Sequence, residues 1–187
     1  MNTRADVLFK SGRKARFKSN RFRFGLAEAR YPGDAGFTCV HCRHYVSSAV
    51  ILSGVNNRNH CPYCLWSRHL DLRQAGDRLA ACKEKMRPIG LTFKRTLKKY
   101  AQKTQGELML VHQCVECGHV SINRIAADDD IENILQVFQS SFELALELKA
   151  RLEKDGVHIV EAGDAPMVQV QLLGLDSTAG DFLRERW

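Results

Sequence analysis

The sequence predicts a small α+β protein in which a cysteine-rich β domain is preceded by a basic arm and followed by an acidic extension. Three observations support this class. Cysteine pairs are concentrated in the middle of the chain, short apolar runs typical of strands lie among them, and a longer amphipathic stretch follows. A chain of 187 residues can form one domain with extensions. We expect the arm over residues 1–32, the β domain over 33–127 and the extension over 128–187.

The charges divide the chain into two unlike parts. Residues 1–127 carry 23 Lys and Arg against 8 Asp and Glu, a net charge of +15, whereas residues 128–187 carry 5 against 13, a net charge of −8. The two values add to the whole-chain charge of +7. This asymmetry is typical of a protein whose basic part faces a polyanion.

The first 32 residues predict a largely disordered basic arm. They contain nine Lys and Arg with phenylalanines between them, and few aliphatic side chains from which to build a core. Such a mixture suits RNA, because phosphates meet the charges while unstacked bases lie on the rings. The candidate nucleic-acid contacts in the arm are Arg13, Lys14, Arg16, Lys18, Arg21 and Arg23.

The seven cysteines indicate metal binding. All lie between residues 39 and 117, and six of them form three Cys-x-x-Cys pairs. Two such pairs close a tetrahedron of sulfurs around zinc. We therefore predict a zinc-ribbon-like domain with one or two structural zinc sites, the first made by Cys39, Cys42, Cys61 and Cys64.

A second zinc site follows from counting ligands. Two closed sites need eight ligands and the chain has seven thiols, so one histidine completes the set. The predicted second site is Cys82, Cys114, Cys117 and His69. His112 is the rival histidine, because it lies two residues before Cys114 and shares its face of a strand. His60 is a weaker candidate, since it points away from the adjacent Cys61.

The CPYC pair, Cys61 and Cys64, also has the spacing of a thiol redox site. A thioredoxin-like site lies between a strand and a helix of a βαβ unit. Here residues 56–60 are polar turn formers with no parallel-sheet pattern around them. Metal binding is therefore our interpretation of the pair, and thiol redox chemistry is the less favoured alternative.

Two apolar runs, PIGLTF and ELMLVHQC, predict strands joined by a hairpin connection. The connection is crowded with cations and forms a second candidate nucleic-acid surface, which contains Lys94, Arg95, Lys98 and Lys99.

A single amphipathic helix is predicted next. Three aspartates at 128–130 supply caps at its start, and Gly156 can end it. Its broad apolar face, within 131–152, requires a cover. We expect that cover to be the chain's own zinc domain or the segment that follows, with a dimer or protein partner as the alternative. After the helix, VHIVEA and MVQVQLLG predict a β-hairpin.

These motifs resemble those of the RNHCP-domain proteins, a family of small bacterial proteins. The resemblance covers about residues 36–130 and includes FTCVHC, RNHCPYCLWSRHLD, GDR, RPIGL, LVHQCVECG and NRIAADD. It implies a small zinc-ribbon-like domain with no established biochemical activity. The family has a glycine pair after its lone cysteine, whereas this chain has Lys83 and Glu84 after Cys82, so the turn there departs from the family pattern.

The expected function is binding rather than catalysis. A zinc ion with four protein ligands leaves no position for water or substrate, and no nucleophile or carboxylate pair stands out. The leading hypothesis is a zinc-stabilised nucleic-acid-binding protein that binds structured RNA, with ribosomal RNA as a candidate partner. A protein-protein adaptor is the alternative.

The predicted location is the cytoplasm. The start of the chain lacks the apolar core of an export signal, and no run is long enough to cross a membrane. The arginine-rich, acid-poor start also resembles an organelle transit peptide, which is the minor alternative.

Overall fold

The computed structural model describes residues 35–94 and 106–174. It shows a small α+β fold with two antiparallel sheets, which confirms the predicted class. The arm contacts Arg13, Lys14, Arg16, Lys18, Arg21 and Arg23 lie outside the described residues, as do Arg95, Lys98 and Lys99 of the second basic surface. Lys94 is described and is exposed.

The strands and helices follow one another in a simple order. They are β1 Phe37–Thr38, β2 Tyr45–Val46, α1 Val50–Ser53, β3 Ser67–Arg68, β4 Lys85–Lys94, β5 Glu107–Cys114, β6 Val120–Arg124, α2 Ile131–Ser140, α3 Leu146–Lys154 and α4 Ala165–Leu173. Two 3-10 turns, Ser141–Glu143 and Ala162–Asp164, precede α3 and α4. None of the helices in the described ranges has the length and apolar character needed to span a bilayer.

β4 and β5 form the centre of a four-stranded sheet ordered β3-β4-β5-β6, while β1 and β2 form a separate small sheet. The two central strands pair antiparallel from Met86 with Cys114 to Lys94 with Glu107. The register shifts between Pro88 and Gly90, beside a proline that has no N–H for the ladder. Both predicted apolar runs are therefore strands, and they pair with each other.

The two faces of this sheet are covered by different helices. Alternation along β5 sends Leu108 and Leu110 to one core and Val111 to the other. The first core also contains Leu65, Leu91, Ile134, Phe138, Val160 and Val168, and the second also contains Ile89 and Leu152. Because α2 and α4 contribute to the first core and α3 to the second, the acidic extension packs on the zinc domain.

The two ends of the predicted helix lie where the sequence signals predict them. Asp130 caps α2 by accepting a hydrogen bond from the Asn133 N–H at 2.8 Å. At the other end α3 stops at Lys154, and Gly156 follows with a φ of 75°. Both signals are local, so they are visible without the fold.

The prediction of one continuous helix over 131–152 is wrong in the middle. The chain becomes extended at Leu144, with a ψ of 136°, and α3 then covers the opposite face of the sheet from α2. The Ser141 hydroxyl donates to the Phe138 carbonyl at 2.5 Å, which is a local alternative to helix continuation. Ser141 also lies against β4, where a Cβ added to Gly90 would be 3.1 Å from the Ser141 Cβ.

The predicted C-terminal β-hairpin is also wrong. Ile159 forms an isolated bridge with Thr92, and the next apolar run forms α4 instead of a second strand. Pro166 lies in the first turn of α4, where its missing N–H costs nothing, and Gly174 ends the helix at a φ of 66°. The segment predicted as a turn between strands is therefore a helix start.

Candidate metal centres

All three Cys-x-x-Cys pairs fold into the same backbone turn. The residue after the second cysteine has a left-handed φ in each case: 68° at Arg43, 59° at Leu65 and 68° at Gly118. The N–H of that residue donates to the carbonyl of the first cysteine, at 3.1, 2.8 and 3.1 Å respectively. This shared turn lets both sulfurs of a pair face one metal ion.

The first cluster joins two of these turns, one between β1 and β2 and the other before β3. The ligand atoms of its four members all lie within 4.8 Å of one another: Cys39, Cys42, Cys61 and Cys64. The Sγ atoms are 3.6 Å apart for Cys39 and Cys64, and 3.5 Å apart for Cys42 and Cys61. A disulfide would bring two sulfurs to about 2.05 Å. A zinc tetrahedron with Zn–S bonds of about 2.3 Å has an edge of about 3.8 Å, which the cluster approaches.

Without a bound cation, the surroundings of the first cluster disfavour thiolates at Cys42 and Cys61. A hydrogen bond with Cys64 and burial together raise the pKa of the Cys61 thiol, and burial raises the pKa of Cys42. Four thiolates at this spacing repel one another unless a divalent ion compensates their charge. A redox dithiol needs an accessible thiolate of low pKa, whereas Cys61 is 0% exposed. The cluster therefore has the properties of a zinc site rather than of a redox centre.

The second cluster brings together the four residues of the predicted second site. His69, Cys82, Cys114 and Cys117 place their ligand atoms within 4.8 Å of one another. The Cys82 and Cys114 sulfurs are 3.7 Å apart, and the Cys117 sulfur is 3.3 Å from His69 Nδ1. For Zn–S near about 2.3 Å and Zn–N near about 2.05 Å, the expected S···N edge is about 3.5 Å. A Cys3His zinc site therefore fits, with Nδ1 as the ligand atom.

Lys83 lies in the turn after Cys82, where the RNHCP-domain proteins have a glycine pair. Its φ is 54°, a left-handed conformation that costs an L-residue about 1–2 kcal/mol. The turn is therefore formed without glycine and carries local backbone strain.

His112, the alternative candidate ligand, makes hydrogen bonds outside the second cluster. Its Nε2 lies 2.7 Å from the Leu65 carbonyl oxygen, and its Nδ1 lies 2.8 Å from Asn123 Nδ2. Burial, with a smaller contribution from His60, lowers the pKa of His112 to about 3, so the ring is neutral. Its Nε2–H donates to Leu65, the residue that follows the second cysteine pair, and so fixes that turn to β5.

Sequence reasoning misses a buried ion pair between the first cluster and α2. Arg58 Nη1 lies 2.7 Å from Asp128 Oδ2, and Arg58 Nη2 lies 3.1 Å from Asp129 Oδ1. The side chains of Arg58 and Asp129 are both fully buried. His60 Nε2 is 2.8 Å from Asp129 Oδ2, which also accepts the Ala126 N–H at 2.7 Å.

This arrangement gives the RNHCP motif a structural role. Its arginine and histidine both bind Asp129, and its proline accepts a hydrogen bond from the Asp130 N–H at 3.0 Å. The sequence predicts caps at all three aspartates of 128–130, but only Asp130 caps α2. The partners are about 70 residues apart, and nothing in one sequence pairs them.

The family comparison agrees with this geometry. The RNHCP domain model matches residues 34–135, a range that contains both clusters and the Arg58–Asp129 ion pair. Searches of curated proteins and of solved structures found no match. Because the matched residues make up more than half of the 187, the chain belongs to the RNHCP domain family.

Proposed function

We propose that this chain is a zinc-stabilised nucleic-acid-binding protein whose partner is structured RNA, with ribosomal RNA as the candidate. The observation that carries the proposal is a group of exposed cations on β3, β4 and the loop between them, which the sequence analysis does not identify. We call it the basic surface, and it comprises Arg68, Arg73, Arg78, Lys83, Lys85 and Arg87.

The sheet register brings three of these cations together. Arg68 pairs with Lys85 across β3 and β4, and Arg87 follows Lys85 by two residues, so both β4 side chains point to the same side. Arg68 Nε also donates to the Lys83 carbonyl at 2.8 Å, which ties the loop to the strand. Of the Arg68 side-chain nitrogens, only Nε has a hydrogen-bond partner among the described residues, so the terminal nitrogens could bind a phosphate.

The acidic residues of the loop organise its backbone. The Asp77 carboxylate accepts hydrogen bonds from the backbone N–H groups of Gln74, Leu72, Arg73 and Leu79. These bonds hold the pKa of Asp77 well below its usual range. Asp71 accepts from the N–H groups of Gly76 and Arg78 at 2.8 and 3.1 Å. Its ion pair with the Arg78 side chain is long, at 3.9 Å. The backbone from which the loop arginines project therefore has a defined conformation.

The second metal cluster supports the same loop. His69 and Cys82 lie at its two ends, and both are ligands of that cluster. The ion would therefore hold the loop closed at its base. The chemistry that zinc supplies here is structural, because four protein ligands leave no position for water or substrate.

The salt dependence of RNA affinity tests this proposal. Six to ten phosphate contacts would weaken binding by about a thousandfold or more between about 50 and 200 mM salt. Replacing Lys85 and Arg87 with glutamine should weaken binding and reduce the salt slope by about one for each phosphate that is no longer neutralised. The matched control replaces two lysines of α3, Lys149 and Lys154. A flat salt dependence, or equal weakening in both variants, contradicts the proposal.

A protein adaptor is the alternative function. Its sequence argument uses the apolar face within 131–152, where Ile134 and Phe138 are buried inside the chain but Leu146 is 78% exposed. Deleting residues 1–30 distinguishes the two functions. Loss of RNA retention with unchanged protein partners supports RNA binding, and the reverse result supports the adaptor.

A further inference from the structure

A cavity of about 370 Å³ lies beside the first metal cluster, within the usual range of roughly 300–1,000 Å³ for small-ligand sites. The residues that line it include two aromatic residues, two asparagines and two arginines: Phe37, Trp66, Asn56, Asn57, Arg68 and Arg78. The two arginines also belong to the basic surface, so the cavity is continuous with it.

Trp66 provides an aromatic surface that is already held in place. The His41 ring stacks on the indole with centroids 4.2 Å apart and planes 2° from parallel. Trp66 lines the cavity and His41 does not. A ring fixed by stacking on one side loses little conformational freedom when a base packs on another side.

The other walls carry the groups that a nucleotide requires. Asn56 and Asn57 are exposed, and each amide can both donate to and accept from the edge of a base. Asn57 also lies close to the loop, because its amide nitrogen would be 3.4 Å from a Cβ added to Gly76. Arg78 has an exposed side chain and a φ of 55°, a strained conformation of the kind found at binding sites.

We infer that this cavity binds one unstacked base of the RNA, with the base against Trp66 and its phosphate on Arg68 and Arg78. The inference rests on the proposed function for the identity of its partner. Aromatic rings, amides and arginines beside a basic surface are the combination by which proteins hold single-stranded segments of a folded RNA.

The test compares two variants on a single-stranded RNA oligonucleotide and on an RNA duplex. Trp66→Leu removes the ring but keeps apolar bulk, and it should weaken single-strand binding by about 5- to 150-fold while leaving duplex binding unchanged. Arg87 lies on the basic surface but outside the cavity lining, so Arg87→Gln should weaken binding of the single strand and of the duplex to a similar extent. Zinc counting by native mass spectrometry verifies that each variant is folded.

A second measurement uses the intact site. The chain has two tryptophans, and Trp187→Phe leaves Trp66 as the reporter. Titration with a ribonucleoside monophosphate at low salt should quench Trp66 fluorescence to saturation, and adding Arg78→Gln should weaken that titration.

The outcomes of these experiments distinguish failure of the base site from failure of the proposed RNA-binding function. Normal single-strand binding by Trp66→Leu, with Arg87→Gln impaired, overturns the base site and leaves the proposed RNA function standing. Absence of binding to either RNA by the unaltered chain overturns both. Absence of Trp66 quenching by every ribonucleotide also overturns the base site.

Discussion

The two metal clusters have similar ligand geometry but very different surroundings. Around the first, the buried core consists of Cys39, Val46 and Cys61, with Phe37 and two further cysteines packed against it. The second lies at one end of a four-stranded sheet whose two faces are covered by separate hydrophobic cores. The first region, residues 37–66, therefore has a core of its own that consists largely of metal ligands.

This difference implies that the two zinc ions contribute unequally to stability. β1 and β2 have two residues each, and a hairpin of that size is not stable in water without further support. Metal binding supplies the folding free energy in such small modules. β4 and β5, in contrast, remain paired through a long ladder and buried side chains, so the second ion holds mainly the loop and the turn at the sheet's end.

The largest expected effect is that of Cys61→Ser. The variant should lose one zinc ion and the amide-exchange protection of residues 37–66, because the region's own hydrophobic core consists largely of the metal ligands. Native mass spectrometry and hydrogen exchange measure the two losses. An unchanged zinc count together with unchanged protection in 37–66 would show that the first region does not depend on its metal.

The second prediction concerns the other attachment of the first region, the buried ion pair. Asp129→Ala leaves Arg58 and His60 without their shared acceptor and should lower the free energy of unfolding by about 3–5 kcal/mol. Asp128→Ala is the matched control. Its side chain is 37% exposed, so the expected loss is about 1 kcal/mol. Equal losses in denaturant unfolding of the zinc-loaded variants would argue against the structural role assigned to Asp129.

The third prediction is a smaller and more local effect for Cys117→Ser. This change should also remove one zinc ion, but exchange protection should be lost in the 70–84 loop and around 115–119 while β4 and β5 stay protected. The free energy of unfolding should fall less than in Cys61→Ser. Loss of exchange protection throughout the sheet would contradict the proposal that the second cluster contributes less to stability than the first.

The smallest predicted effect is a gain in stability. Lys83→Gly relieves a left-handed φ that costs about 1–2 kcal/mol, while glycine adds about 0.5–1 kcal/mol of chain entropy to the unfolded state. The net expectation is a stabilisation of about 0.5 kcal/mol in thermal unfolding. Lys85→Gly, two residues later in β4, should instead destabilise by about 0.5–1 kcal/mol. Destabilisation by Lys83→Gly would contradict the strain assigned to this turn.

Local signals account for the parts of the molecule that are predictable from sequence. A Cys-x-x-Cys turn forms from a few neighbouring residues, so the pairs are recognisable, and ligand counting then requires one histidine. The same counting cannot choose between His69 and His112 by itself. The fold makes that choice, because Leu65 and Asn123 occupy both ring nitrogens of His112.

The remaining features depend on contacts between distant residues. The apolar residues of 167–173 suit either a strand or a helix, and Pro166 suits a turn between strands as well as a helix start. The helix breaks at Leu144 because the chain must cover two opposite faces of a sheet. No local sequence pattern indicates this requirement. The pairing of Arg58 with Asp129 likewise depends on a fold that brings distant residues together.

Hydrogen exchange before and after metal removal, with zinc counted by native mass spectrometry, tests the central claim most directly. The account predicts two bound zinc ions at the start and, after chelation, loss of protection over residues 37–66 while the β4–β5 ladder remains protected. Full protection of residues 37–66 in protein with no metal bound would contradict it.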